Sequence, residues 1–404
     1  MTKPQAVVMN MFYTGIGIAR NLGEMGVPVI GLGPDRFTWG NFSRFCKFLR
    51  CPDSRDQQNE LVEFLVRLGK KLETRAVIFP TRDYDVMFLS QHREDLSDYF
   101  IVSVPKPVIL DNIMNKWRML ETASRCDISV PRSFLIESKD DLNRMPRINF
   151  PCVLKPVYSS SWRAEGAWQA VGGRKAIGVS SFDNLYTEYE RVSAVPGKLL
   201  VQELVPGGDD QIYVLGSYLS AASEPLAYFT GRKLVQMPPQ FGTGCLVESV
   251  RLEELELSTF RFLKVLGYYG ISEVEYKKDP NDGTFKLIEI NPRHWDWHRL
   301  GTKCGANLSY IAYRDLTGES IERSYVGSVA GVKWIAEQEF FLFVVQGFKD
   351  GLTWRRIREL AKGGGEYGSF SWGDPLPFLI YLLQFLTFLF AVLKRRLLRA
   401  FHAW

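Results

Sequence analysis

The chain has 404 residues, which is long enough for two or three domains with buried cores. Hydrophobic residues make up 46% and charged residues 24%, a balance that is typical of globular proteins and excludes a disordered or low-complexity chain. The formal net charge of +5 is small for this length, so nucleic acid is not expected as a partner. The six cysteines form no CxxC pair and no zinc-site spacing, and we expect reduced thiols in the cytoplasm.

Residues 1–110 alternate strand-like and helical patterns, which predicts a small open α/β domain. Its first apolar run, at 6–11, is too short for the core of a signal peptide, so we expect no export. A glycine turn at 14–20 follows and could hold an anion at a helix N-terminus. The turn lacks the third glycine of a dinucleotide fingerprint, and a plain tight turn is the favoured interpretation.

Two lysines come next, in segments that could present them to phosphates. Residues 111–123 have a helical pattern that contains Lys116, and an apolar strand at 150–155 ends with Lys155. A lysine ammonium is a compact charge that suits phosphate oxygens, whereas a solvated helix lysine is the alternative for Lys116. The loop at 157–179 is rich in Ser, Gly and Trp, and we expect it to be a mobile lid.

Polar residues then follow two further strands. The strand at 199–203 runs into a Pro-Gly turn with Asp209 and Asp210, which are common turn residues in their own right. A strand at 227–235 carries Lys233 near its end and precedes a glycine-rich loop. This basic strand end could bind an acyl phosphate or a carboxylate, and a solvated cationic edge is the equal alternative.

The segment 270–293 predicts a hairpin whose two strands flank a turn at 279–283. Glu275 and Glu289 lie in its two strands, and Asn291 and Arg293 follow the second. Carboxylate and amide oxygens are ligands that Mg²⁺ shares with phosphates, and a guanidinium can offset the charge that develops during transfer. An ordinary exposed hairpin with solvated carboxylates is the alternative.

The string VEY at 274–276, followed by IEINPR at 288–293, resembles the metal-binding end of the ATP-grasp superfamily, of the carboxylate-amine ligase type. The upstream segments occur in the order expected of that family. The resemblance implies a fold of mixed α/β and α+β class, with a preATP-grasp α/β domain at 1–110 and a two-lobed ATP-grasp domain at 111–318. A C-terminal extension at 319–404 would follow.

The resemblance also implies ATP and Mg²⁺, or Mn²⁺, as cofactors, and it assigns roles to the residues above. The phosphates would be bound by Lys116 and Lys155. The adenine would meet the backbone of Glu203, Leu204 and Val205, and the ribose would meet Asp210, with Asp209 as second choice. The metal would be held by Glu275, Glu289 and Asn291, and the catalytic residues would be Arg293 and Lys233.

The acceptor substrate is expected beside the first domain. The family resemblance places Thr81, Arg82 and Asp83, at a strand's carboxyl end, facing the active site. The residues proposed to line the acceptor pocket are Trp295, Trp297 and His298, with Lys303 opposite a substrate charge. His294 and His298 are four residues apart and could share a helix face as metal ligands, which is the weaker interpretation because no third ligand is evident.

The tail contains 19 uncharged residues at 375–393, with basic residues at 394–396 and 399 beyond them and others upstream between 355 and 362. Basic flanks on both sides favour a helix that lies on the cytoplasmic leaflet over a single crossing. A true transmembrane span and a buried helix of the core or of an oligomer are the alternatives. We therefore expect a cytoplasmic protein at the inner face of the membrane, with a homodimer left open.

Together these features predict an ATP-dependent carboxylate-amine ligase that acts through an acyl phosphate. Its substrates would be small or lipid-linked carboxylates and amines of cell-envelope or exopolysaccharide synthesis. The alternative from another class is a nucleotide-binding scaffold or regulator of a membrane assembly. The near-complete set of phosphate and metal residues favours the ligase.

Overall fold

The computed structural model describes residues 3–164, 166–349 and 351–401, and the side chains of 388, 389 and 391–401 lie outside this description. The described strands form three sheets, of five, four and eight strands. They divide the fold into an N-terminal unit, a small lobe and a large lobe.

The N-terminal unit is an open α/β layer. Its elements are β1 (Ala6–Met9), α1 (Tyr13–Gly23), β2 (Val29–Gly33), β3 (Cys46–Arg50), α2 (Gln58–Gly69), β4 (Ala76–Phe79), α3 (Asp83–Gln91), α4 (Arg93–Leu96) and β5 (Phe100–Val102). The strand order is β3-β2-β1-β4-β5, and all neighbours are parallel. Strands β1 and β4 are short, uniformly apolar and buried along their whole length, as a central parallel sheet requires. The chain turns in opposite directions after β1 and β4, so the carboxyl ends of these strands form a crevice.

The small lobe carries a four-stranded sheet in the order β6-β9-β7-β8. Its elements are α5 (Pro107–Met114), α6 (Lys116–Arg125), β6 (Ser133–Ile136), α7 (Lys139–Arg144), β7 (Cys152–Pro156), α8 (Ser159–Arg163), α9 (Ala167–Ala170), β8 (Ile177–Val179), α10 (Phe182–Val192) and β9 (Leu199–Glu203). The segment predicted to be a mobile lid therefore contains two short helices and a strand.

The prediction of one continuous helix over 111–123 is wrong. Asn115 has an extended backbone and caps α6, because its side-chain oxygen accepts a hydrogen bond from the backbone N–H of Arg118 at 3.1 Å. A residue that caps a helix in this way has a non-helical backbone, so the helix before it must end there. Lys116 consequently stands in the first turn of α6, and its side chain is buried.

The large lobe is built on the eight-stranded sheet. Its elements are β10 (Ile212–Leu219), β11 (Pro225–Met237), β12 (Thr243–Val250), α11 (Glu253–Val265), β13 (Gly270–Lys278), β14 (Phe285–Asn291), α12 (Arg299–Lys303), α13 (Leu308–Leu316), β15 (Tyr325–Val326), β16 (Lys333–Ile335), α14 (Glu337–Lys349), α15 (Trp354–Ala361), β17 (Gly365–Tyr367) and α16 (Leu376–Phe401). The main path is β14-β13-β10-β11-β12-β16-β17, and β15 pairs with β11. Since β16 and β17 follow residue 318, the sheet continues into the segment predicted to be an extension.

The predicted hairpin is confirmed as β13 and β14. Its turn closes through a hydrogen bond from the N–H of Gly283 to the carbonyl of Asp279 at 2.8 Å, with Gly283 at a φ of +74° that favours glycine. Lys286 forms an ion pair with Asp279 at 2.7 Å. The register places Glu273 opposite Asn291 and Glu275 opposite Glu289.

The N-terminal unit shares one hydrophobic core with the large lobe. Ile18 and Leu22 of α1 belong to the same buried cluster as Trp295, Leu300 and Ile311. Burying apolar surface jointly from two units holds them together, at roughly 25 cal/mol per Å² of area removed from water. The crevice at β1 and β4 is thereby fixed against the hairpin.

The tail helix α16 packs against the N-terminal unit with one face. Tyr381 is buried beside Ile16 and Trp39, and its hydroxyl lies 2.9 Å from the hydroxyl of Tyr13. The opposite face carries an exposed apolar stripe, which consists of Leu379, Leu383, Leu386 and Phe390. Of the helices in the described part of the chain, none is both long and apolar enough to span a membrane.

A buried ion pair fixes the segment before α16. The Nε of Arg20 lies 3.0 Å from the Oδ2 of Asp374, and the two side chains are 0% and 1% exposed. Arg20 also donates to the carbonyl of Ser369, and Asp374 accepts from the hydroxyl of Ser43 at 2.7 Å. Such a pair is costly to break, since either partner left alone is an uncompensated buried charge.

We therefore expect Asp374→Ala to lower the free energy of unfolding by about 3–5 kcal/mol, measured by urea denaturation. The matched control is Glu63→Gln, which removes a pair with Arg67 whose side chains are 72% and 64% exposed. That variant should change the free energy by about 1 kcal/mol or less. Equal losses in the two variants would contradict a structural role for the buried pair.

Candidate active site

The strand residues of the hairpin line a cavity of about 370 Å³ between the three units. Side chains alternate across a strand, so Glu273 and Glu275 of β13 share a face, as do Glu289 and Asn291 of β14. Their pairing in register puts these four side chains together on the sheet face that forms the cavity wall. Three carboxylates and an amide therefore converge there.

Glu289 lies among four lysines, of which Lys116, Lys155 and Lys233 are buried and Lys175 is exposed. Burial alone would raise the pKa of Glu289, but Lys116, Lys155, Lys233 and Lys175 outweigh that effect and hold its pKa below the usual range. Burial lowers the pKa of Lys155 to about 8, and the positive charge of Lys116 lowers it further. The site thus concentrates ammonium groups around one carboxylate, which favours a polyanionic ligand.

Lys116 and Lys155 occupy the positions from which the resemblance predicts phosphate binding. The ammonium of Lys116 donates to the hydroxyl of Ser159 at 2.6 Å, and that of Lys155 donates to Gln202 at 2.8 Å. Burial lowers the pKa of Lys116 as well. Both lysines line the cavity, and their neutral partners leave the charge available to a ligand.

Lys233 and Glu275 form a buried ion pair at 2.5 Å. Burial opposes the charge of Lys233, but Glu275 and Glu273 outweigh it and raise the pKa of the lysine. Lys233 also reaches Gln236 at 3.4 Å. The pair joins the predicted catalytic lysine of β11 to a predicted metal ligand of β13.

Glu273 is a cavity residue that the sequence predictions did not single out. Its carboxylate accepts a hydrogen bond from the amide nitrogen of Asn291 at 2.9 Å, and the residue is 6% exposed. Burial raises the pKa of Glu273 to about 8, with Lys233 opposing and Glu275 adding to the rise. Near neutral pH this carboxyl is therefore largely protonated.

Arg293 connects the large lobe to the N-terminal unit. Its Nε donates to Asp83 at 2.7 Å, and Arg163 of the small lobe approaches the same carboxylate at 3.4 Å. Burial would raise the pKa of Asp83, but the two guanidinium groups outweigh it and hold that pKa below its usual range. Asp83 thus joins the three units at the cavity.

The other predicted residues of the first domain also reach this region. Thr81 and Arg82 line the cavity with Asp83, at the carboxyl end of β4. The guanidinium of Arg82 is occupied by Asp53 at 2.8 Å and Asp85 at 2.9 Å, which fixes the turn before α3.

The residues predicted to meet the adenine also line the cavity. Glu203 is the last residue of β9, and Leu204 and Val205 follow it directly. Asp210 is exposed and is not among the residues of the cavity wall. Asp209 is held by the backbone of Gln236 and Gln240 at 3.0 and 3.1 Å. Neither aspartate is among the residues that line the cavity.

Two tryptophans form the floor of the cavity beside the carboxylates. Trp295 lies over Gly216, where an added Cβ would come within 2.1 Å of the indole, and Trp297 lies over Gly231, where the distance would be 2.8 Å. Only glycine leaves room for an indole this close to the strand backbone. Both tryptophans line the cavity as predicted.

His298 and Lys303 are not in the cavity wall, contrary to prediction. His298 is fully buried against Gly17 of α1, and its Nδ1 lies 2.6 Å from the carbonyl of Trp295. Lys303 pairs with Glu366 at 3.2 Å on the other side of α12. The helix that begins at Arg299 turns these residues away from the cavity.

Metal binding by the two histidines receives no support. His294 is buried, and its Nε2 contacts the hydroxyl of Ser309 at 3.0 Å. Nowhere in the described part of the chain do three or more His, Cys, Asp or Glu residues form a cluster suited to a metal ion. The predicted set of Glu275, Glu289 and Asn291 contains only two carboxylates, which suits a hard cation that takes further oxygens from a phosphate ligand and water.

Further cavity residues were missed in the sequence. Lys175 lies in the loop before β8, and Asp296 lies between the two tryptophans. Thr14, at the start of α1, donates to Asp296 at 2.8 Å. Glu273 alternates with Glu275 along one strand, so its position could have been found from the period-two pattern. The others depend on contacts between distant segments.

The fold matches solved structures over most of the chain. The biotin carboxylase domain of the Hydrogenobacter thermophilus 2-oxoglutarate carboxylase, solved with MgADP, ADP and bicarbonate, aligns with a TM-score of 0.64 at 15% identity, over 80% of this chain and 72% of that one. An L-amino acid ligase from Bacillus licheniformis aligns with a TM-score of 0.59 at 13% identity, over 78% of this chain and 75% of that one. The chain therefore has the ATP-grasp fold, as its motifs predict.

Among curated proteins, the chain is similar to D-aspartate ligase from Enterococcus faecium (strain Aus0004). The two are 24% identical over 273 residues, which is 64% of each chain. No protein-family model matches the sequence. The predicted resemblance to the ATP-grasp superfamily of carboxylate-amine ligases is thus confirmed.

The pKa of Glu273 predicts how stability depends on pH. Between about pH 4.5 and 8 the folded state keeps a proton that the unfolded state loses, so the free energy of unfolding should fall as pH rises, by up to about 1.4 kcal/mol per pH unit. Glu273→Gln should remove this decline when urea unfolding is compared at about pH 6 and about pH 8. The exposed control Glu254→Gln should follow the wild type. An unchanged slope in Glu273→Gln would show that Glu273 is not the titrating group.

Proposed function

We propose that this protein is an ATP-dependent carboxylate-amine ligase that forms an amide through an acyl phosphate, with release of ADP. The observation that carries the proposal is the cavity in which three buried lysines, with the more exposed Lys175, surround Glu289 beside the paired carboxylates of β13 and β14. The ATP-grasp fold and the similarity to D-aspartate ligase support it.

In this proposal the lysines of the small lobe hold the nucleotide phosphates. Lys116 and Lys155 bind them through charge-assisted hydrogen bonds, and Lys175 approaches from the loop before β8. The backbone of Glu203, Leu204 and Val205 meets the adenine. The residues that would hold Mg²⁺, or Mn²⁺, are Glu275, Glu289 and Asn291.

These donors fit such an ion because all are oxygen ligands, with the amide oxygen of Asn291 as the atom that a hard cation takes. When bound, the ion neutralises charge on the transferring phosphoryl group. Lys233 forms an ion pair with Glu275, and Arg293, held by Asp83, presents the rest of its guanidinium to the reacting carboxyl group. The tryptophan floor limits access of water to the acyl phosphate.

The substrates proposed are an amino acid or similar carboxylate and an amine on an amphiphilic cell-envelope or exopolysaccharide precursor. D-aspartate, which names the curated relative, is the first carboxylate to test. The amphiphilic acceptor is suggested by the apolar stripe of α16.

A membrane-surface location forms part of this proposal. Leu379, Leu383, Leu386 and Phe390 follow one another at helical spacing on the exposed face of α16. Helix α15 contributes Arg355 and Arg356, whose side chains are 90% and 62% exposed, and both charges suit anionic lipid. The helix would lie on the cytoplasmic leaflet, with its buried face on the N-terminal unit. The basic cluster predicted at 394–399 lies outside the described side chains.

The nucleotide site is tested by thermal stabilisation. ATP should raise the melting temperature only when Mg²⁺ is present. At an ATP concentration about a hundredfold above its Kd, the free energy of unfolding should rise by about 2.7 kcal/mol. Glu289→Gln should lose the Mg²⁺-dependent shift, because it removes a charged ligand and the partner of four lysines. The exposed control Glu254→Gln should keep it.

The absence of any shift in folded wild-type protein would overturn the nucleotide site. Turnover separates a ligase from a scaffold, since ADP should form rapidly only when a carboxylate and an amine are both present. In that assay Glu289→Gln should be at least about 100-fold slower than the wild type.

Membrane attachment is tested by co-sedimentation with vesicles of phosphatidylcholine, with and without phosphatidylglycerol. Leu379→Glu with Leu383→Glu should weaken binding about 10-fold or more, because each leucine contributes about 1.5–3 kcal/mol when it is buried. The matched control is Leu257→Glu, a leucine that is 72% exposed on α11.

A deletion that tests the tail should begin at residue 388. Removal of Asp374 would unpair the buried Arg20 and confound the result. Binding that is equal in the wild type, the double variant and the truncated chain would refute attachment through α16.

A further inference from the structure

Asp296 stands in the cavity wall between the two tryptophans of the floor. One of its carboxylate oxygens accepts a hydrogen bond from the hydroxyl of Thr14 at 2.8 Å. Thr14 belongs to the first turn of α1, so the N-terminal unit orients a carboxylate that the large lobe supplies. The side chain is partly buried and faces the cavity end at which the carboxyl ends of β1 and β4 meet.

Three of the other carboxylates in the cavity are balanced by cations. Asp83 is paired with Arg293 and Arg163, Glu275 is paired with Lys233, and Glu289 lies among four lysines. Asp296 differs from these three, because its hydrogen bond comes from a neutral hydroxyl. Among the residues that the structure describes, no lysine or arginine forms an ion pair with it. A partly desolvated carboxylate without a cationic partner attracts a cation.

The charged groups near Asp296 place it beside the reaction centre. Its charge acts with Asp83 and Glu273 to raise the pKa of Arg293, against the effect of burial. Burial and Arg163 lower the pKa of Lys175, whereas Glu289 and Asp296 act in the opposite direction. Glu339 belongs to α14; burial raises its pKa, and the negative charge of Asp296 raises it further. Asp296 therefore lies within electrostatic reach of Arg293 and of a phosphate-site lysine.

We propose that Asp296 binds the ammonium group of the acceptor amine and removes its proton, so that the free amine can attack. The proposal rests on the ligase function proposed above. It assigns to the acceptor a primary amine that arrives in its charged form, since the carboxylate is the group that would compensate that charge. Thr14 is a positioning residue that holds the carboxylate toward the acceptor.

The step balances as follows. Asp296 accepts one proton from R–NH₃⁺, and the nitrogen lone pair forms a bond to the carbonyl carbon of the acyl phosphate. The bond between that carbon and the phosphate oxygen breaks, and the phosphate leaves with the electron pair. A second proton leaves the nitrogen with the phosphate as HPO₄²⁻, the third stays on the amide, and Asp296 returns its proton to solvent.

The test uses hydroxylamine as the amine, because it traps acyl phosphates as coloured hydroxamates and exists in neutral and charged forms. Donor carboxylates are D-aspartate and the other common amino acids, with ATP and Mg²⁺. The rate is measured at about pH 8, where hydroxylamine is neutral, and at about pH 5, where much of it is protonated. Asp296→Asn is compared with the exposed control Asp98→Asn.

At about pH 8 we expect Asp296→Asn to stay within about 3-fold of the wild type, since a neutral nucleophile needs no base. At about pH 5 it should be slower by up to about 10-fold, because only roughly a tenth of the hydroxylamine is still neutral there and can react without a positioned base. Thr14→Val should show a smaller loss at the lower pH only. Asp98→Asn should match the wild type at both.

If the rate of Asp296→Asn falls by the same factor at both pH values, or falls at neither, the proposed role of Asp296 is overturned and the ligase function still stands. No hydroxamate from the wild type with any donor would instead remove the proposed ligase function and this inference with it. Rates at the higher pH also establish that the variant is folded.

Discussion

The charge balance around Glu289 is the constraint on which the rest of the site depends. Four ammonium groups from four different segments come together at one cavity, and without a central carboxylate their mutual repulsion would oppose folding. The hairpin supplies that carboxylate at a position fixed by its register with Glu275. The small lobe and the large lobe are thereby drawn to the same point. The folded protein is prepared for a polyanion because its cations are already gathered.

The N-terminal unit completes the cavity through a few polar contacts across its shared core. Asp83 links Arg293 to Arg163, Thr14 orients Asp296, and Arg20 holds the segment before α16 through Asp374. Each contact starts from the end of a parallel strand or from the helix that follows it. The crevice of the open sheet is therefore part of the cavity wall, as its strand order implies.

The hairpin and its site could be predicted from sequence because their information is local. Glu275, Glu289 and Asn291 lie close together along the chain, and the alternation of residues in two strands fixes the face they share. Lys175 sits in a loop without periodicity, and Thr14 meets Asp296 only because two units fold together. The break at Asn115 depended on a cap that the helical pattern concealed. Lys303 was misplaced because the direction of a short helix is set by packing, here against Glu366.

The tryptophan floor has a consequence for how this sequence can vary. Gly216 and Trp295 fit each other so closely that even a methyl group at the glycine would occupy the place of the indole, and Gly231 restricts Trp297 in the same way. Neither member of such a pair can change by itself without leaving a clash or a void. Substitutions at these positions should therefore occur in pairs, and their effects on stability should be strongly non-additive. A smaller residue at 295 would make a side chain at 216 tolerable, and the floor could then be reshaped to admit a different acceptor.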